Sequence, residues 1–423
     1  MYKSATGAAT PLIALYLARR AKRGKEDMAR AHERRGRPDM PRPKGRLIWL
    51  HGASVGESLS LLSVITALLK ADPALHVMVT TGTVTSAKLM QDRLPDGAFH
   101  QYIPVDHPAW VKSFLDHWQP DVIGWAESEF WPNMLSEICT RDIPAVLLNA
   151  RMSEKSFKSW RRAPGMIASM LQCFSTCLAQ SQLDADRLKA LGAKNVSIAA
   201  NLKYAAAPLP CNTHALESLK NTVGGRKTIL WACTHPGEED IAAATHKTLK
   251  TTAPDLLTII VPRHPLRGDD ITAMLQQRDL TAAQRSKNAT PSHADDIYIA
   301  DTLGELGVFF SLCKTVVMGG SFADIGGHNP IEPAQYGCTI LYGPHMYNFR
   351  TISADFENRH AALRVQNATM LATKLKKILQ APENYASIAT AAQAWVEEKS
   401  HIADETAAIC LSYLKNPQEA AHA

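Results

Sequence analysis

The chain has 423 residues, of which 46% are hydrophobic and 20% charged. That composition excludes a disordered polymer, and the length favours two domains of about 200 residues over one core. The net charge of +6 is uneven: the first 46 residues hold thirteen lysines and arginines against four acids, so the body of the chain is slightly acidic and no nucleic-acid partner is expected.

Residues 1–45 are expected to be a basic N-terminal membrane-surface segment. Thr10–Ala18 is apolar but far short of the ~20 residues of a spanning helix. The basic runs Arg19–Lys25 and Arg34–Arg37 follow it. A signal peptide would reverse that order, whereas a helix lying on an anionic membrane has it; an ordinary capping helix with solvated arginines is the plain alternative. Seven apolar, β-branched-rich runs follow: Arg46–Leu50, His76–Thr83, Ala98–Val105, Asp121–Glu127, Pro144–Ala150, Cys177–Ser181 and Val196–Leu202. Residues 204–214, proline-containing and poor in pattern, read as a linker. A second series occupies Lys227–His235, Leu256–His264, Asp296–Thr302, Thr315–Ser321 and Thr339–Pro344, and an alanine-rich helical tail begins at Asn384. Strands of this kind alternating with helical segments imply parallel, doubly wound α/β sheets, one in 46–203 and one in 215–423. The eight cysteines show no C-x-x-C pair and no histidine spacing, so reduced thiols and no metal are expected. Cys173 and Cys177 are expected on one helix.

In such sheets ligands gather beyond the carboxyl ends of the strands. The first strand runs into HGASVGES (His51–Ser58), a glycine-rich turn that in a P-loop would end in lysine but here carries Glu57. Glu57 is either an acid at a helix start, stabilised by the macrodipole, or a general base for an incoming hydroxyl. His51 and Ser54 add polar groups to the same turn. The fourth strand ends in WAESEFWPN (Trp125–Asn133), where Glu127 is preferred over Glu129 as the functional carboxylate. Trp125 and Trp131 are expected in the core. Arg151 and Lys155, after the fifth strand, are candidates to touch an anion. In the second half, Arg263 and His264 stand at a strand end, where a guanidinium can fork onto a phosphate. The amides of Leu303, Gly304 and Glu305 open a helix and are expected to be free for an anion. The stretch Gly319–Gly337 brings Gly319, Gly320, Ser321 and Glu332 together, the last placed to accept from a ribose diol. His328 and His345 read as pocket walls rather than proton carriers.

HGASVGE, WAESEFWPN, NARMSEKS, NLKY, PRHP, DTLGEL and GGHNPIEP, in this order, resemble the 3-deoxy-D-manno-octulosonic acid (Kdo) transferases of lipopolysaccharide synthesis, over roughly Leu47–Arg364. The resemblance implies a GT-B glycosyltransferase with two Rossmann-like domains facing a cleft. It would move Kdo from the donor substrate CMP-Kdo to the lipid A precursor at the cytoplasmic face of the bacterial inner membrane, with inversion and with neither metal nor cofactor. It also implies Glu57 as proton acceptor, and Glu127 and Lys203 as transition-state stabilisers. CMP contacts would fall at Pro262, Arg263, Leu303, Gly304, Glu305, Asn329, Pro330, Ile331 and Glu332. A GT-B enzyme using a UDP-sugar in another lipid-linked glycan pathway is the alternative. An epimerase of the same fold and a nucleotide-sensing scaffold are weaker readings. Relatives with a longer apolar anchor than Pro11–Ala18 make peripheral attachment the expectation here.

Overall fold

The computed structural model describes residues 2–414. They form two compact units. The first runs to Ala206 and takes in the chain again from Lys399; the second is Ala207–Glu398.

The first unit is built on seven parallel strands: β1 Leu47–His51, β2 His76–Thr81, β3 Ala98–Tyr102, β4 Val122–Ala126, β5 Ala145–Ala150, β6 Thr176–Ala179 and β7 Val196–Ile198. Their order is β3-β2-β1-β4-β5-β6-β7. Every residue of β1 and β4 is buried, as expected for strands covered by helices on both faces. Successive side chains of β1 enter opposite layers: Trp49 joins Phe114, Trp118 and Trp125, whereas Leu50 joins Leu61, Val64 and Leu68. Gly124 makes the close packing around β4 possible, since a Cβ there would lie 2.5 Å from Leu50 Cδ2 and 2.8 Å from Leu148 Cδ1. The winding reverses between β1 and β4, which pair directly, Ile48 opposite Val122. The crevice beyond their carboxyl ends is therefore the switch point of this sheet.

The second unit repeats the plan with β8 Thr228–Thr234, β9 Leu257–Pro262, β10 Ala282–Gln284, β11 Ile297–Ile299, β12 Thr315–Met318, β13 Thr339–Tyr342 and β14 Leu363–Arg364. The order β10-β11-β9-β8-β12-β13-β14 puts the switch point between β8 and β12. The edge strands β10 and β14 were not expected, because two or three residues carry too little periodicity to stand out.

Three expectations change. The end of the chain does not belong wholly to the second domain: helix Ile402–Ser412 buries Ile402, Ala403, Ala407 and Cys410 in the core of the first unit. Tyr413 and Thr176 share a hydroxyl hydrogen bond of 2.7 Å on the same unit. The basic N-terminal segment is likewise not set apart from the first unit. Arg34 is buried, paired with Glu26 and donating to the Ile103 carbonyl, while the Glu33 carboxylate accepts the Tyr102 amide at 2.7 Å. This stretch therefore belongs to the edge of the first sheet. Residues ahead of it form helices Tyr2–Ala8 and Thr10–Lys22, the second showing Leu12, Leu15 and Tyr16 at 71%, 50% and 58% exposure. Among the described residues no helix is long and apolar enough to cross a membrane. Finally, all eight cysteines are free thiols, but Cys173 and Cys177 share no helix: Cys173 follows helix Pro164–Leu171 and Cys177 lies in β6.

Candidate active site

Glu57 stands in the first turn of helix Val55–Ala71, immediately beyond β1. Ser54 caps that helix, its hydroxyl oxygen accepting the Glu57 amide at 3.3 Å. In return the Glu57 carboxylate accepts from the Ser54 hydroxyl at 2.8 Å and from the Ala53 amide at 2.7 Å. This is a capping box in variant form, the carboxylate reaching the amide of Ala53 just before the cap, and its S-x-x-E signature stood in the sequence unread. The structural role of Glu57 leaves acceptor capacity to spare: each oxygen holds one partner, and a carboxylate has about four acceptor positions. His51, by contrast, is wholly buried. Its Nδ1 lies 2.9 Å from the Thr80 hydroxyl and its ring centroid 4.3 Å from that of Trp125. Burial pushes its pKa down to about 3, so it is a neutral wall behind the turn rather than part of the reactive surface.

Glu127 follows β4 in the left-handed region, φ 59°, a conformation costly for a residue with a Cβ and typical of functional sites. Its amide donates to the Leu148 carbonyl at 2.8 Å. Burial, and then the Glu57 charge, raise its carboxyl above the ordinary glutamate range, against the pull of Lys203 and Arg151. Lys203, in the short turn Leu202–Ala205, is lowered mainly by burial; Glu127 and Glu57 oppose that shift and Arg151 adds to it. The first unit thus brings Glu57, Glu127, Lys203 and Arg151 into one electrostatic cluster at its switch point. Glu129 is exposed, and its main-chain carbonyl accepts the Trp125 indole N–H at 2.8 Å. Trp125 and the partly buried Trp131 belong to the core. Lys155 stays on the exposed basic helix Glu154–Trp160, beside a depression of about 680 Å³ shared with Lys158 and Arg162.

In the second unit the residue that sequence reasoning missed is Glu238. It is 1% exposed, and its carboxylate accepts amides from His235 (2.9 Å), Gly320 (2.7 Å), Ser321 (3.1 Å), Phe322 (3.0 Å) and Ala323 (3.3 Å). A side-chain anion from the same chain fills the concave loop that the glycines suggested for a ligand. Gly320 and Ser321 therefore spend their amides on Glu238 rather than holding them open. The Gly319 amide bonds to Ala232 at 2.7 Å, and a Cβ there would lie 2.2 Å from the Cys233 carbonyl oxygen. The Ser321 hydroxyl is tied to the Met318 carbonyl and the Gly343 amide. These three residues shape the loop from within.

Around that loop stand the polar groups that remain. His235 and His328 share a hydrogen bond between their Nε2 atoms at 2.9 Å, and His328 is pushed down to about 4, chiefly by burial. Glu332 is raised by burial, opposed by the Asn329 amide donating at 3.2 Å and by the Arg263 charge. Pro262 closes β9, Arg263 follows it, and Pro330 precedes helix Ile331–Gln335. Ile331 is core, with its amide on Asn329 Oδ1. Leu303 is 79% exposed and Gly304 is left-handed at φ 81°, both ahead of helix Leu306–Leu312. The Val308 and Phe309 amides bond to the Glu305 carbonyl, leaving the amides before them outside the helical ladder. The Glu305 side chain forks onto Arg285. Among the described residues no group of three or more His, Cys, Asp or Glu is arranged to hold a metal ion.

Two doubly wound parallel sheets, each with polar side chains at its switch point, define the GT-B class. Solved structures agree on the fold. A glycosyltransferase from Rickettsia africae superimposes with a TM-score of 0.60 at 14% identity, covering 88% of this chain and 100% of that one. A UDP-GlcNAc 2-epimerase from Neisseria meningitidis does so with a TM-score of 0.59 at 13% identity, covering 88% and 99%. Residues 29–206 match the family described as 3-deoxy-D-manno-octulosonic-acid transferase (kdotransferase). The 3-deoxy-D-manno-octulosonic acid transferase of Rickettsia bellii is 36% identical over 361 residues, 85% of this chain and 86% of that protein. The chain belongs to the Kdo transferase family.

Proposed function

We propose that the protein transfers Kdo from CMP-Kdo to a sugar hydroxyl of the lipid A precursor, with inversion and without a metal. The acceptor oxygen attacks the anomeric carbon, its proton passes to Glu57, and the bond to the cytidylate phosphate breaks with its electrons leaving on CMP. Glu127 balances the positive charge that builds at the anomeric carbon, and Lys203 the negative charge on the departing phosphate. In the second unit Arg263 and the amides around Leu303–Glu305 bind the phosphate, while Glu332, held beside Asn329, takes the ribose diol; Pro262 and Pro330 shape the walls. The observation that carries this reading is the convergence of Glu57, Glu127, Lys203 and Arg151 on one switch point, where the Glu57 charge acts on both Glu127 and Lys203.

We further propose peripheral attachment to the cytoplasmic face of the bacterial inner membrane. The exposed apolar face of helix Thr10–Lys22, with Arg19, Arg20 and Lys22 in its last turn, supports this. Mass spectrometry of the product formed from CMP-Kdo and the lipid A precursor, beside an otherwise identical reaction with a UDP-sugar, tests donor and acceptor together. Transfer from the UDP-sugar alone would end the Kdo assignment.

A further inference from the structure

Three neutral amides lie behind the catalytic cluster, and none of them has a place in the proton or charge chemistry. Asn149, Gln180 and Asn201 are 3%, 8% and 6% exposed. Asn149 sits in the left-handed region at φ 52°, where the pairing of β5 with β6 shifts register between Leu147 and Ala150. That bulge turns its side-chain oxygen onto the Leu202 amide at 3.1 Å. The Asn149 carbonyl accepts Gln180 Nε2 at 2.8 Å, Gln180 Oε1 accepts Asn201 Nδ2 at 2.9 Å, and Asn201 Oδ1 accepts the Lys203 amide at 3.0 Å. The chain of bonds therefore begins at the end of β5 and closes on the turn that carries Lys203. One residue earlier, the Leu148 carbonyl receives the Glu127 amide. Adjacent residues of one strand end thus fix the backbones of both Glu127 and Lys203.

Resting on the catalytic reading above, we infer that Asn149, Gln180 and Asn201 are positioning residues that set Lys203 against Glu127. The choice of residue type fits that task. The Asn149 amide nitrogen is buried with no hydrogen-bond partner, so this side chain is retained for its acceptor oxygen at the expense of an orphaned donor. An aspartate would supply the same oxygen but would bring a third carboxylate towards Glu57, Glu127 and Lys203. Neutral amides hold the turn without disturbing that balance.

The test compares Asn149→Gly, Asn201→Ala, Asn201→Ser and Lys203→Ala in the full-length protein, using turnover of CMP-Kdo, KM for donor and acceptor, and the thermal midpoint. Glycine tolerates the left-handed backbone of position 149, so Asn149→Gly deletes the acceptor with little strain. Serine at 201 keeps a capping oxygen for the Lys203 amide. The expected result is a fall in kcat of about 10-fold to 100-fold in Asn149→Gly and Asn201→Ala, the range for a displacement of up to an ångström. Both KM values should stay within about threefold, the scale of lost uniform binding being small. Asn201→Ser should recover most of the rate. Unchanged kcat in the folded variants, equal loss in the serine and alanine variants, or failure of both Asn149→Gly and Asn201→Ala to fold would overturn the inference. Full activity in Lys203→Ala would instead overturn the catalytic reading beneath it, which keeps the two failures distinct.

Discussion

Glu57 is the place where stability and chemistry can be pulled apart, because the capping box and the proposed base are the same carboxylate. In Glu57→Gln one side-chain oxygen survives and the other becomes an amide nitrogen. Either the Ala53 amide or the Ser54 hydroxyl then loses its acceptor. Loss of a cap interaction costs about 0.5–2 kcal/mol, and loss of the negative charge at the helix start a further ~0.3–1 kcal/mol. A combined loss of about 0.8–3 kcal/mol would lower the melting temperature by about 2–12 °C for a unit of this size. It would leave the protein folded, since domains are typically stable by about 5–15 kcal/mol. Loss of a general base is far larger in effect, a rate lower by about 10²–10⁴-fold. Ser54→Ala provides the control: it removes the cap partner, should cost about 1 kcal/mol, and leaves the carboxylate in place. Melting curves, CMP titration and single-turnover rates on all three proteins give the answer. The reasoning fails if Glu57→Gln turns over within tenfold of the parent, or if Ser54→Ala is as slow as Glu57→Gln.

Glu127→Gln should separate stability from activity in the opposite sense. Because burial raises the Glu127 carboxyl, its contribution to stability is present below the unfolded value of 4.5 and is lost as pH rises towards the higher folded value. At neutral pH the glutamine variant should therefore melt higher than the parent while turning over more slowly, and the difference in melting should fade below pH 4.5. Glu238→Ala leaves five amides, two buried and three partly buried, without their acceptor. It should destabilise the second unit by about 3–5 kcal/mol, the scale for breaking a buried charged contact, read as an early transition in urea with loss of CMP binding. Arg263→Ala should weaken CMP by about 1.5–3 kcal/mol, as for a charge-assisted hydrogen bond, measured by calorimetry, and CMP should outcompete UDP in the parent. Replacing Leu12, Leu15 and Tyr16 by serine should reduce binding to anionic vesicles in a flotation assay while solution activity on dispersed acceptor is retained.

Much of the fold was legible because seven strands of the first sheet and five of the second are apolar runs ended by polar residues. The candidate residues could be placed for the same reason, with Glu57, Glu127 and Arg263 each standing beyond such a run. What escaped notice depends on tertiary partners. Glu238 looks like a helix-start acid until Gly320–Ala323 folds over it, and Arg34 looks like surface charge until the Ile103 carbonyl meets it. That the Gly320 and Ser321 amides are taken by a carboxylate from elsewhere in the chain is likewise invisible in the local pattern of this loop. Asn149, Gln180 and Asn201 lie far apart in sequence, so no local pattern could join them.

Helix Ile402–Ser412 has a consequence for how the molecule is made. Since Ile402, Ala403, Ala407 and Cys410 complete the core around β1, the first unit lacks one wall until the stretch that carries them has been synthesised. The intervening segment Ala207–Glu398 is continuous and has every strand of its own sheet well before that moment. The half with the proposed nucleotide grip can therefore mature ahead of the half with the proposed base, so a nascent chain would gain its hold on cytidylate before it gains the power to react.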